Sequence, residues 1–466
     1  MEHKELREKL LYAPKNGYDR ISGEERRGIF QMAEDYKAFL GRSKTERDTV
    51  VATAELAEAA GFVPYSRGMK LTPGDRVYTV NRGKSILLAV IGRESLADGA
   101  HILAAHIDSP RLDLKPMPLY EDKKELAYLK THYYGGIKKY QWTAIPLELR
   151  GVVALKDGSV IDVEIGAKPD DPVLTITDLL PHLGKDQMAK PMSEGVTGEA
   201  LNVLVGSIPL RDDEGADRVK LAVLAYLNEQ YGICEEDFFS AELTVIPNFP
   251  VRDVGFDRSL IGGYGHDDRC CAYSILRALL DISGVPAKTA VCVLADKEEI
   301  GSVGITGMQS QFFDTFMEDL CESFGVPLRA CFEASSCLSA DVCNAFDPIY
   351  AETCDPRNSA YANYGVGLMK YTGARGKSGS NDAVPELIGT LRAAFDSAGV
   401  VWQSGELGKV DQGGGGTVAG YMGNRNISTV DIGIPVLSMH APYEVISKLD
   451  LFMSVRAMSA YCAMEE

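Results

Sequence analysis

Seven histidines are spread over this chain of 466 residues, and two of them, His106 and His440, stand where apolar runs give way to acids. His106 closes the run HILAAH, and Asp108 follows two residues later. On an extended backbone the two side chains point the same way, so Asp108 is placed to fix the tautomer of a metal-binding His106 or to steady a neighbouring ligand. Alone, a histidine in such a run reads as a core residue. The acids further along shift that balance. In AVCVLADKEEIGS an apolar strand ends in Asp296, Glu298 and Glu299. That is an expensive place for carboxylates unless cations or hydrogen bonds compensate them, or the segment is a solvated surface turn. Adjacent residues of an extended chain project to opposite sides, so Glu299 can ligate a cation while Glu298 faces a bridging water as general base.

The pair Asp267-Asp268 in GGYGHDDRC lies between a glycine-rich turn and an apolar helix. Asp267 is the candidate to bridge two cations; capping of the helix by one of the aspartates is the alternative, and fits Asp268 in either case. Asp341 in SADVCNAFDP and His440 in VLSMHAPYE complete a set of imidazoles and carboxylates for each cation. Such donors suit Zn²⁺ and tolerate Mn²⁺ or Co²⁺. The run DQGGGGTVAG lacks the Gly-Lys-Ser/Thr ending of a phosphate loop, and reads instead as tight turns beside the site or as a plain flexible loop.

Positioning these groups demands strands that end together. SILLAVIG, HILAAHID, TAVCVLADKEE, RACFEASS and NISTVDIGI read as strands, and CCAYSILRALLDI and FFDTFMEDLCESF as helices between them. Alternating strand and helix predicts an α/β fold with a mostly parallel sheet flanked by helices, and open sheets of that kind hold ligands at the carboxyl ends of their strands. Two helices open the chain, because Ser22 to Glu25 and Ser43 to Glu46 both have capping-box spacing, and Gly61 ends the second. Beyond Pro116 to Pro118 the style changes: LELRGVVALKDGSVIDVEI is a hairpin turning at Asp157-Gly158, 184–199 is a loop, and Asp217 to Gln230 is a helix. The expected division is a catalytic domain of 1–118 and 251–466, interrupted by an inserted β-rich domain at 119–250.

Composition sets outer limits. Apolar residues make up 45% and charged residues 24%, ordinary values for a globular protein. A net charge of -18 opposes binding to nucleic acid or anionic membranes. The charged amino-terminal stretch and the lack of a long apolar window predict no membrane span and a cytoplasmic location. Ten cysteines without a CxxC pair, several inside apolar runs, predict buried thiols rather than disulfides or a zinc ribbon.

The ordered motifs AAHIDSPRLDLKP, GHDDR, DKEEIGS, SADVCNAFDP and SMHAPYE resemble the signatures of the aspartyl aminopeptidase family along nearly the whole chain. The resemblance implies two divalent metal ions: His106 and Asp341 hold the first, Glu299 and His440 the second, Asp267 bridges them and Glu298 is the general base. It also implies that the inserted domain mediates dimerisation within a homo-oligomer, a dodecamer built from dimers, and that His182 enters a neighbouring subunit's site. TGARGKSGSND resembles the stretch that supplies basic substrate-pocket residues, so Arg375 or Lys377 would meet an acidic side chain or a peptide carboxylate. The expected activity is removal of the first residue of peptides, Asp or Glu by preference. A neutral-residue aminopeptidase and a metal amidohydrolase acting on N-acyl amino acids use the same donors. A non-catalytic assembly protein would have no use for Glu298.

Overall fold

Three apolar strands, Ser85–Val90, Ala100–His106 and Thr289–Ala295, are buried along their whole length, and a strand buried on both faces needs cover above and below. The computed structural model, which describes residues 3–123 and 125–465, supplies that cover. The alternate residues Ile86, Leu88, Leu103, Ala105, Cys292 and Leu294 pack on the helices Gly23–Arg42, Glu46–Ala59, His266–Leu280 and Lys448–Cys462. Their neighbours Leu87, Ala89, Ile102, Ala104, Val291 and Val293 pack on Phe312–Ser323, Leu328–Ala334 and Ala419–Gly423. The result is a mixed α/β fold, a sheet between two helical layers.

That sheet has nine strands, in the order Val63–Pro64, Arg76–Asn81, Ser85–Val90, Thr289–Ala295, Ala100–His106, Ser336–Ala340, Ser428–Gly433, Val366–Met369, Trp402–Ser404. Its centre, from Thr289–Ala295 to Ser428–Gly433, is parallel, while the strands on either side of that centre join it antiparallel. The parallel centre brings four strand carboxyl ends to one edge. A second sheet of six antiparallel strands runs in the order Val160–Ile165, Leu147–Ala154, Ala241–Pro247, Arg111–Glu121, Ala127–Tyr134, Asn202–Gly206. It has a core of its own around Leu112, Trp142, Leu149, Val203 and Val245. A third, five-stranded sheet contains Leu260–Gly263, Glu444–Ser447 and Pro435–Leu437.

Local chemistry explains where the expected elements fall. The Leu147 to Ile165 hairpin is present, with Asp157 Oδ1 accepting the Ser159 N–H at 2.9 Å across its turn. A helix His3–Leu10 precedes the two expected to open the chain; the first of those, Gly23–Arg42, starts on the expected capping box of Ser22 and Glu25. The second starts two residues later than expected, on Thr45 and Asp48, because the Glu46 carboxylate turns inward to Arg111 and Lys84. RACFEASS is not a strand up to Ala334. Pro327 opens a short helix, Leu328–Ala334, whose Phe332 ring stacks on Phe313 at 5.6 Å, and the strand follows at Ser336. All ten cysteines are free, nine of them buried and Cys234 exposed. No helix among the described residues is long and apolar enough to cross a membrane.

A buried ionic knot ties the two larger sheets together. Lys84 Nζ lies 3.0 Å from Glu46 Oε1, 3.4 Å from Asp296 Oδ2 and 3.2 Å from Glu242 Oε1, and Arg111 Nη1 donates to Glu46 Oε2 at 3.0 Å. Burial alone would raise the Glu46 pKa, but Arg111 and Lys84 outweigh it and hold the carboxyl well below its usual range. Replacing Lys84 with Met strands buried carboxylates, a change that costs about 3–5 kcal/mol. Lys84→Met is therefore expected to lower the urea midpoint sharply. An unchanged midpoint would remove the knot from the account of stability.

Candidate metal centre and active site

The four carboxyl ends of the parallel centre deliver most of the candidate residues. His106 is the last residue of its strand, Asp296 to Glu299 follow Thr289–Ala295, and Asp341 follows Ser336–Ala340. Ser428–Gly433 leads through Pro435–Leu437 to His440. Asp267 comes from the turn at the start of the helix His266–Leu280, where Asp267 and Asp268 have non-helical angles.

Asp267 stands between the two histidines. His106 Nε2 lies 3.2 Å from Asp267 Oδ1, and His440 Nε2 lies 3.1 Å from Asp267 Oδ2. Asp341 Oδ1 is 3.7 Å from His106 Nε2, and Glu299 Oε1 is 3.6 Å from His440 Nε2. Ligand atoms of His106, Asp267 and Glu299 fall within 4.8 Å of one another, and so do those of His106, Glu298 and Asp341.

The donor chemistry fits cations. His106 Nδ1 faces the Asp108 carbonyl oxygen at 3.1 Å and Asp108 Oδ1 at 3.3 Å. His440 Nδ1 faces the Gly136 carbonyl at 2.8 Å. These oxygens only accept, so each Nδ1 carries a hydrogen and each Nε2 is the ring nitrogen turned toward carboxylates. Glu299 Oε1 is buried with no hydrogen-bond donor. Burial lowers the pKa of His440, but Asp267 and Glu299 outweigh it and push it up to about 11. A divalent cation satisfies the same field that would otherwise draw protons onto the imidazoles.

Glu298 and Glu299 leave the strand end through a tight turn rather than by the expected strand alternation. Lys297 adopts φ 68° and the glutamates form a 3-10 turn. Asp108 holds that turn, accepting the Glu298 N–H at 3.1 Å on Oδ1 and the Glu299 N–H at 3.2 Å on Oδ2. Glu298 Oε2 ends 3.9 Å from His106 Nε2. Burial pushes its pKa up to about 8, with the carboxylates of Asp341, Asp108 and Asp267 raising it against the effect of His106. Glu298 also lines an open cleft of about 630 Å³ with Gly301, Gly379, Ser380, Asn381, Thr417 and Tyr421.

Other candidates lie apart. Arg375 and Lys377 line a different pocket of about 180 Å³, with Tyr371, Glu406, Lys409 and Asp411. Lys377 is engaged there, 3.0 Å from Asp382 Oδ2 and 4.0 Å above the Tyr371 ring. His182 is exposed, beside the exposed Leu179, Leu180 and Leu183. The glycine-rich run contributes Gly416 and Thr417 to the Glu298 cleft, and Thr417 Oγ1 donates to the buried Asp431 at 2.6 Å.

Two groups escape the sequence reading. Glu444 accepts the His440 N–H at 2.7 Å and the Asp267 N–H at 3.1 Å, clamping the His440 and Asp267 loops with one buried carboxylate. Its signal was its place inside the SMHAPYE motif. The segment Tyr134, Gly135 and Gly136 reaches the site from the second sheet, and the Gly-Gly pair was the one available sign of close backbone approach.

Fold and donor set together have the character of a metal-dependent hydrolase. Residues 39–462 match the family model described as aminopeptidase I zinc metalloprotease (M18), and the chain belongs to that family. It is a metallo-aminopeptidase, a hydrolase of peptide bonds. A probable M18 family aminopeptidase 1 of Clostridium acetobutylicum is 46% identical over 460 residues, covering 97% of this chain and 98% of the relative. A Thermotoga maritima relative described in the same words is 47% identical over 429 residues, covering 91% and 94%. The crystal structure of an M18 aminopeptidase from Thermotoga maritima superposes with a TM-score of 0.93 at 45% identity, covering 97% of this chain and 99% of that one. Aminopeptidase I from Clostridium acetobutylicum gives 0.91 at 44%, covering 98% and 100%.

Proposed function

We propose that this aminopeptidase works with two divalent cations, zinc by preference, His106 and Asp341 holding one, His440 and Glu299 the other, and Asp267 both. The observation that carries the reading is the division of one carboxylate: each oxygen of Asp267 faces a different imidazole. Bound there, the cations supply Lewis acidity toward the scissile carbonyl and lower the pKa of a shared water. Glu298, held beside His106 but outside the shared set, takes the proton of that water and returns it to the leaving amine. Asp108 keeps the His106 tautomer and the Glu298 turn in register. A carboxylate of the cluster anchors the free α-amine, which restricts attack to the first peptide bond.

The acidic preference implied by the family resemblance rests on Arg375 and Lys377. A second reading, preference for neutral first residues, has its own support: apart from Glu298, the lining of the 630 Å³ cleft carries no charged side chain. A panel of Asp, Glu, Leu and Lys amides, assayed with metal-stripped and zinc-restored enzyme, decides between them. Activity only after restoration, and none on N-acylated substrates, is expected. Cleavage of blocked substrates would turn the reading to the amidohydrolase.

We read 119–250 as the unit through which copies of the chain associate. Support comes from the core of the six-stranded sheet, which draws mostly on 119–250 but also takes in Leu112 and Tyr264, its strand Arg111–Glu121 crossing the expected boundary, and from the exposed apolar residues around His182, which would bring that imidazole to a partner's oxyanion. The mApe1 dodecamer of S. cerevisiae shares this fold at 18% identity with a TM-score of 0.73, and a dodecamer built from dimers is our reading for this chain too.

A further inference from the structure

The strand Ala127–Tyr134 belongs to the six-stranded sheet, yet its end touches both halves of the metal centre. Tyr134 Oη donates to Asp108 Oδ2 at 2.7 Å, the oxygen that also accepts the Glu299 N–H. Two residues on, the Gly136 carbonyl accepts from His440 Nδ1. The backbone between them passes at contact distance: a Cβ on Gly135 would lie 3.3 Å from Glu299 Oε2, and one on Gly136 would lie 3.4 Å from His440 Nδ1.

Tyr134 is itself held firmly. It pairs with Arg111 across the sheet, and the Arg111 guanidinium sits 4.0 Å over its ring, an attraction that a phenyl ring keeps without the hydroxyl. Asp108 serves several donors with two oxygens: the Glu298 N–H and the His106 ring nitrogen on Oδ1, the Glu299 N–H and the phenol on Oδ2. The phenol makes the shortest of these contacts. Without it, Oδ2 keeps one N–H at 3.2 Å, and the carboxylate gains freedom to rotate away from both the imidazole and the glutamate turn.

We propose that Tyr134 is a positioning residue for the hydrolysis, acting through Asp108 on His106 and the Glu298-Glu299 turn, while Gly136 of the same segment orients His440. The second sheet therefore completes the metal centre of its own chain. This rests on the two-cation reading above.

The test is Tyr134→Phe, which removes the donor and keeps the ring under Arg111. Outer partners of metal ligands are worth about 10–100-fold in metal affinity or activity. A fall of that order in kcat is expected, with KM unchanged, zinc lost faster to a chelator, and the thermal midpoint unmoved. Gly136→Ala, which presses a methyl toward His440, is expected to speed zinc loss in the same assay with Tyr134 intact. Wild-type kcat and zinc retention in Tyr134→Phe would overturn the proposal, as would an activity loss that merely follows a lowered thermal midpoint. If the unmodified enzyme needs no zinc, both readings fall. If it needs zinc and Tyr134→Phe matches it, only this one does.

Discussion

Glu298→Gln is expected to lower kcat by roughly 10²–10⁴-fold, the usual worth of a general acid-base group, with zinc content unchanged. The amide keeps the shape of the side chain and its place in the turn, because the turn is held by backbone N–H groups donating to Asp108. It cannot accept a proton from water. Glu298 Oε2 stands 3.9 Å from His106 Nε2, further out than Asp267 and Asp341, so its loss should spare the metal donors. Hydrolysis at the wild-type rate by the variant would sink the proposed base, and loss of zinc would make Glu298 a ligand instead.

Asp267→Ala attacks the other pillar. Every donor set proposed here includes Asp267, so one substitution is expected to empty both positions and reduce activity to background, measured as zinc per chain after gel filtration. Asp341→Ala, which removes the carboxylate 3.7 Å from His106 Nε2 and is proposed for the first cation only, should cost one zinc. If Asp267→Ala retained two zinc ions per chain, the shared-carboxylate arrangement would be wrong. Its buried neighbours sharpen the contrast. Glu444 and Ser109 both hold the Asp267 backbone, so the loop has supports that do not depend on its carboxylate.

Much of this geometry was legible in the sequence because it sits where apolar strands stop. A run such as TAVCVLA can only be interior, and acids directly after it must lie at the sheet's edge; a parallel centre then brings His106, Glu298, Glu299 and Asp341 to the same edge. What the sequence hid were contacts between distant elements. Nothing in the strand Ala127–Tyr134 announces that its last residue meets Asp108, and the place of Glu444 inside SMHAPYE does not tell that it clamps the Asp267 loop, 177 residues away. Helix Leu328–Ala334 was misread because Cys331 and Phe332 suit a strand as well as a helix, and the stacking partner Phe313 lies on another element. The cap at Thr45 slipped because Glu46 answers to Arg111, 65 residues away. Arg375 and Lys377 lie close in sequence to Gly379, Ser380 and Asn381 of the Glu298 cleft, yet positive φ angles at Arg375, Gly376 and Lys377 turn their part of the loop into another pocket.

The distribution of thiols has a practical side. Burial pushes the Cys270 thiol up to about 11 and that of Cys462 to about 12, and thiolate is the form that reacts. Cys234, just beyond the helix Arg218–Tyr231, is the exposed exception. Burial keeps the other nine thiols from an alkylating dye offered to the folded chain, so Cys234 is its one exposed address, on the six-stranded-sheet side of the molecule, and the unmutated chain comes with its own labelling site.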